Sequence, residues 1–231
     1  MKKLIFCITL FLSVAATAQD NAVLDKLKEF NFPAELLAKS IGGADTDGDH
    51  SFNLTTTADI DAEIIVEEAK YDPTQKKGEQ WILLSYNGKD PSKKEIKQFK
   101  KDHNMKEEEI KAKIDDSSWD IESDNNDYLV VNFRYDSSTL KWRYKYLADI
   151  KGKAFLNKTT KQLEKVEYVN VKPTKIKPFN VDKYSLVVDY IFNETEKVYQ
   201  VEKEEINMNA KMLGQTVPVK FTSEYSNYKK I

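Results

Sequence analysis

Tyr184-Ser185-Leu186-Val187-Val188-Asp189-Tyr190-Ile191-Phe192, the turn Asn193-Glu194-Thr195-Glu196, and the run Val198–Met212 decide the fold. Tyr184, Leu186, Val188, Tyr190 and Phe192 recur at every second position, the spacing at which side chains share one face of a strand. Ile206, Met208, Ala210 and Met212 repeat that spacing after the turn. Two long strands joined by a short polar connection predict an antiparallel hairpin.

The same period extends outward. Val217, Val219 and Phe221 continue it toward Tyr225 and Tyr228. On the other side, residues 150–156 and 166–171 read as a strand pair joined by a polar turn at 158–161, and residues 128–135 as another strand. Leu140, Trp142, Tyr144 and Tyr146 alternate with Lys141, Arg143 and Lys145, which predicts a strand there too. Residues 81–86 form a strand closed by Asn87-Gly88. Residues 58–70 read as one strand, with Ile60, Ala62, Ile64 and Val66 alternating with Asp59, Asp61, Glu63 and Ile65. Residues 44–57 read as a loop. No helical crossover pattern interrupts the second half, so the expected class is mainly β (α+β), built on a long antiparallel meander.

Helical periodicity is confined to two places. Residues 21–41 carry Leu24, Leu27 and Phe30, then, restarted at Pro33, Leu36, Leu37 and Ile41 before Gly42-Gly43. Asp90-Pro91 pairs an N-cap with a proline at the first helical position, and Ile96 and Phe99 share a side of the helix that follows. A second run from Met105 carries Ile110 and Ile114. Both runs are charged elsewhere, so residues 91–116 read as two solvent-facing helices resting lightly on the domain.

The first residues give an address. Lys2 and Lys3 precede an apolar stretch over 4–14, and Ala16-Thr17-Ala18 supplies a small-residue cleavage site. This is the pattern of a signal peptide over 1–18, cut after Ala18. Its apolar stretch is too short to span a bilayer, so no transmembrane segment is predicted. Residues 19–231 are then a single domain, periplasmic or secreted. The one cysteine, Cys7, lies inside the leader, which leaves the mature chain without disulfide, thiolate metal site or lipid-anchored first residue.

Formal net charge is −2, and losing Lys2 and Lys3 makes it more negative. Acids and bases alternate along the chain, so nucleic acid is not an expected partner. Asp45, Asp47 and Asp49 occupy the first, third and fifth positions of a calcium-type loop. His50 stands where that loop wants glycine and Thr56 where it wants glutamate, so the stretch reads as an acidic surface loop or a weak calcium site. The two histidines, His50 and His103, lack partner ligands at metal spacing, and no nucleophile elbow, P-loop or dinucleotide fingerprint occurs. No cofactor and no catalytic set is expected.

Aromatic residues at period-two positions leave two readings. They pack the core of a sheet on a helix, or they line an apolar cavity. On the second reading the lining is Trp81, Trp142, Tyr144, Tyr184, Leu186, Val188, Ile206 and Met208.

A leader, an N-terminal helix, a long meander and the closing Val217-Pro218-Val219-Lys220…Tyr225-Ser226-Asn227-Tyr228 together resemble the lipoprotein-carrier (LolA/LolB-like) superfamily. Tyr71-Asp72-Pro73 and the stretch from Gly78-Glu79-Gln80-Trp81 through Asn87-Gly88-Lys89-Asp90-Pro91-Ser92 are similar to a group of uncharacterised exported bacterial proteins, a likeness that implies no activity. The carrier resemblance implies a half-open barrel packed on N-terminal and inserted helices around an apolar cavity. It implies an exported binding protein that shelters a lipid or acyl ligand and performs no covalent chemistry. The charged helices at 91–116 are an insertion relative to a plain carrier. The alternative is an envelope scaffold with a fully packed sheet, which binds an envelope protein through its charged helices or an edge strand. An enzyme would need a carboxylate pair or His103 in a cleft, and the sequence nominates neither.

Overall fold

Among the described residues, eleven strands hydrogen-bond into one sheet in which every neighbouring pair is antiparallel. The computed structural model describes residues 18–32, 50–103, 113–176, 179–212 and 215–231. The strands are β1 (His50–Ile60), β2 (Glu63–Tyr71), β3 (Trp81–Tyr86), β4 (Asp120–Asp124), β5 (Tyr128–Arg134) and β6 (Ile150–Asn157). They continue as β7 (Gln162–Asn170), β8 (Thr174–Ile176), β9 (Phe179–Asn193), β10 (Val198–Met212) and β11 (Gln215–Lys230). Across the sheet the order is β3-β2-β1-β11-β10-β9-β7-β6-β5-β4, with β8 a short addition to β9. The path starts at β3 and ends at β4, so the sheet is open, and the fold is the mainly β antiparallel meander that the periodicity predicts.

The long hairpin is β9–β10, 15 residues in each strand. Its register sets Leu186 opposite Ile206 and Tyr184 opposite Met208. Register shifts between Val201 and Lys203 and between Asn209 and Ala210 interrupt the pairing, and the first sets Val201 and Glu204 on one face.

Two stretches differ from the expectation. Residues 58–70 are a hairpin, not one strand, and β1 begins at His50 inside the stretch read as a loop. Its turn is Asp61-Ala62, at φ 53° and 67°, the backbone of a two-residue type I′ turn. Neither glycine nor asparagine marks it, so the alternation looks continuous in the sequence. The turn moves Ile64 and Val66 to the other face, and Ile64 is 61% exposed. The second stretch, around Trp142, Tyr144 and Tyr146, is a 3-10 helix (Trp142–Asp149). The alternation finds no strand partner here among the described residues; the chain bonds to itself instead, the Tyr144 amide donating to the Lys141 carbonyl at 2.9 Å three residues back.

Two helices are described. Helix α1 (Ala18–Glu29) buries Val23 and Leu27 against Leu129, Val131 and Phe133 of β5 and the adjoining strands. Helix α2 (Lys93–His103) opens on a capping box one residue beyond Pro91. The Ser92 amide donates to Glu95 Oε2 at 2.6 Å, and the Glu95 amide to Ser92 Oγ at 3.3 Å. Phe99 is 3% exposed, packed with Ala69 and Leu83, so this helix is docked more firmly than its charged sequence suggests. Ile114, expected in the second inserted helix, instead forms an isolated bridge with Tyr135. The leader up to residue 17, the helical piece expected from Pro33 to Ile41, the run from Met105 up to residue 112, and the acidic loop Asp45, Asp47 and Asp49 lie outside the described residues; Ala18, expected as the last residue of the leader, opens α1.

The two helices therefore sit at opposite edges of the sheet: α1 contacts β4 and the 3-10 turn Asp116–Ser118, and α2 contacts β3.

Candidate functional site

Residues directly opposite on neighbouring strands point to the same face, and so do residues two apart on one strand. Applied to the registers, this rule gathers one inner face from β3 to β5. On β9 and β10 it carries Tyr184, Leu186, Val188, Ile206 and Met208. On β11 and β1 it continues through Val219 and Phe221 to Ala58 and Thr56.

Five of the eight residues expected in a cavity thus lie on contiguous positions of two strands. Val188 is buried in the main core, and Tyr184 and Leu186 are half-buried against it. Ile206 and Met208 are half-buried. Trp81 lies on the same face four strands away, in an aromatic group with Phe52 (5.6 Å), Tyr71 (5.0 Å) and His103 (4.8 Å between ring centroids). Trp142 and Tyr144 belong to the 3-10 helix; Trp142 is 67% exposed and Tyr144 half-buried.

Beside these residues lies a group of tyrosines, of which the sequence placed only Tyr184 in the expected lining. Tyr135, Tyr146, Tyr168, Tyr184 and Tyr190 converge on the core. Burial pushes all five hydroxyls above the usual tyrosine range, Tyr168 furthest, with neighbouring tyrosines adding to the effect. Burial thus favours the protonated form of these hydroxyls, which can donate hydrogen bonds. Glu204 lies opposite Val188 on this face and accepts a hydrogen bond from the Tyr225 hydroxyl at 2.9 Å. Its charge adds to the upward shift of Tyr184 and Tyr190. Glu67, on the inner face of β2, is held above the usual carboxylate range by burial and then by Asp102 of α2. The signal for Glu204 was available: two residues before Ile206, it breaks the apolar alternation of β10 on that face.

A cleft of about 620 Å³ lies where the 3-10 helix meets β8, β9 and β10. Tyr146 and Val181 form its apolar side, and Lys145, Lys175 and Lys211 with Asp149 and Asp182 its polar side. Lys211 pairs with Asp182 at 3.0 Å, and Asp149 with Lys172 at 2.9 Å. Lys145 donates to the Ser137 carbonyl at 2.8 Å. Val181 is on the inner face, opposite Ala210, and Tyr146 packs among the inner tyrosines. Val181 and Ala210 are each 1% exposed, while Lys175, Asn180 and Lys211 share the outer register, so the cleft is separate from the inner face. Among the described residues, no three histidine, cysteine or acidic side chains group as a metal site, and no helix is long and apolar enough to cross a membrane.

No family model and no curated protein matches the chain. Among solved structures it is similar to a DUF1329 family protein from Desulfovibrio piger, with 10% identity over 93% of this chain and 94% of that one and a TM-score of 0.42. A protein domain from Vibrio parahaemolyticus named for outer membrane lipoprotein sorting is 10% identical over 85% of this chain and 91% of its own, with a TM-score of 0.38. A LolA superfamily protein from Nitrosomonas europaea is 12% identical over 93% and 94%, with a TM-score of 0.35. At these identities and scores the likenesses carry no function to this chain.

Proposed function

We propose that this chain is an exported, non-catalytic binding protein that shelters an apolar ligand, a lipid or an acyl chain, against the inner face of its open sheet. The observation that carries the reading is the placement of the helices. Among the described residues they cover the two edges of the sheet, while Leu186, Ile206, Met208 and Phe221 in its middle stay half-buried. An aliphatic chain laid along these residues would gain about 0.8 kcal/mol for each methylene removed from water. The protonated tyrosines beside them give hydrogen-bond donors. The leader over 1–18 places the protein in the periplasm or outside the cell.

The test is to express the chain with its leader, purify the exported form without detergent, and apply native mass spectrometry and organic extraction. A co-purifying lipid near one per chain is the expected result. A clean apo mass, with no uptake of a fluorescent fatty acid, would overturn the reading in favour of a partner-binding scaffold.

A further inference from the structure

One corner of the molecule sets exposed apolar side chains among lysines. The 3-10 helix Trp142–Asp149 turns once every three residues, so residues three apart share a side. Tyr146 and Leu147 pack against the core. Trp142 and Lys145 share another side, and both are exposed, Trp142 at 67%. Where the helix ends, the Asp149 carbonyl accepts the Val171 amide at 2.9 Å, and Val171 is 47% exposed. Large apolar groups thus meet solvent at both ends of this helix, in a fold that buries such groups elsewhere along the same segment.

Positive charge gathers beside the same helix. Lys145, Lys175 and Lys211 line the cleft, with Asp149 and Asp182 as its carboxylates. Each aspartate is engaged by a lysine, Lys172 and Lys211 respectively. Lys145 donates to the Ser137 carbonyl, a neutral acceptor. Asp136 is a further carboxylate near Lys145, and the Ser138 amide already bonds it at 2.8 Å. Among the described residues no carboxylate pairs with Lys175, which is exposed. The chain as a whole carries a net charge of −2, so this basic corner stands out locally.

Tryptophan and lysine together discriminate between partners. The buried core of a protein interface favours tryptophan and is depleted in lysine. A bilayer surface takes both. Tryptophan rings settle at head-group level, and lysines lay their stems along the apolar boundary while the ammonium groups meet lipid phosphates. We propose that this corner docks the protein on a membrane surface that carries anionic lipids. Trp142 and Val171 enter the head-group layer, and Lys145 and Lys175 face the phosphates. The contact is peripheral and reversible, and it neither requires nor uses a ligand on the inner face of the sheet.

Flotation of the mature chain with phosphatidylcholine vesicles, made with and without phosphatidylglycerol, tests it. The chain is expected to rise with the anionic vesicles and to stay behind with the neutral ones. Raised salt should release it. Lys145→Gln and Lys175→Gln are each expected to weaken binding by about fivefold, the scale of one lysine at an anionic surface. Trp142→Ala should weaken it by about tenfold, through the loss of a large amphipathic ring. Lys76→Gln, in the exposed turn between β2 and β3, should leave binding unchanged. Unaltered thermal midpoints show that the variants fold. Tryptophan emission should move to the blue on binding, and Trp142→Phe should abolish that move. A loss in Lys76→Gln equal to that in the corner variants would overturn the docking site, because overall charge would then explain the binding. Equal binding to both kinds of vesicle would overturn the anionic-lipid assignment. No flotation with either would overturn the proposal and turn the corner over to an acidic protein partner.

Discussion

Phe133 and Gly152 face each other across the β5–β6 pair, and the Phe133 ring occupies the space a side chain at position 152 would need. Phe133 is fully buried and meets Trp119 and Tyr168 at centroid distances of 5.4 and 5.9 Å. The glycine is therefore required by its neighbour's ring and not by its own backbone. Gly152→Ala is expected to displace the ring and cost about 1–3 kcal/mol, the usual penalty of overpacking a dense core. A lower urea midpoint with an unchanged slope would report it; an unmoved midpoint would mean the ring yields freely.

The Tyr199 hydroxyl accepts the Leu163 amide at 2.9 Å, a bond buried between β10 and β7. Leu163 is 2% exposed, so water cannot replace the lost partner. Tyr199→Phe is expected to destabilise by about 1–3 kcal/mol, the cost of stranding a buried donor. Tyr128→Phe is the comparison: its hydroxyl bonds Glu164 at 2.6 Å near the surface. A smaller loss there than at Tyr199 is the expected pattern in thermal unfolding.

Stability should depend on pH through His103. Burial between α2 and β3 lowers its affinity for a proton, and only partly do the Phe99 carbonyl and Asp102 offset this. Its Nδ1–H donates to the Phe99 carbonyl at 3.1 Å. The unfolded chain takes the proton near 6.5, while the folded chain refuses it until lower pH. The unfolded state therefore binds more protons in that window, and stability falls as pH drops below about 6.5. Glu67 acts in the opposite sense, nearer the carboxylate range. Unfolding midpoints at pH 7.5 and 6.0 should differ for the native chain and converge in His103→Gln.

Ligand uptake should separate the two faces of one strand pair. Ile206 points inward opposite Leu186, and Ile191 points outward opposite Gln200. Ile206→Glu is expected to reduce fatty-acid uptake by at least tenfold, and Ile191→Glu to leave it unchanged. Equal effects from the two would place the ligand elsewhere.

Where alternation had long strands to act on, the fold was legible. Tyr184 through Phe192 and the Asn193–Glu196 turn mark β9, β10 and the face they share, and five expected cavity residues meet there. Legibility failed where a competing local rule left no mark. Asp61 and Ala62 adopt positive φ without glycine, so a hairpin passed for one strand and Ile64 changed face. At Trp142 the alternation has no neighbouring strand among the described residues to pair with, the chain closes on itself as a 3-10 helix, and the ring emerges exposed. The cleft could not be read at all. Lys145, Lys175 and Lys211 are far apart in the chain and come together only through the pairing of β8, β9 and β10.

The β1–β11 pairing sets an order on folding. Strand β1 matches β11 over residues 50–60 and 219–230, so β1, β2 and β3 join the rest of the sheet only through β11. The hairpins of β1 to β3, with α2, wait for a docking edge while β4 to β10 pair in sequence. Loss of β11 alone would split three strands from the other seven and bare an unpaired edge on each piece. This one strand is thus the seam on which a single sheet depends.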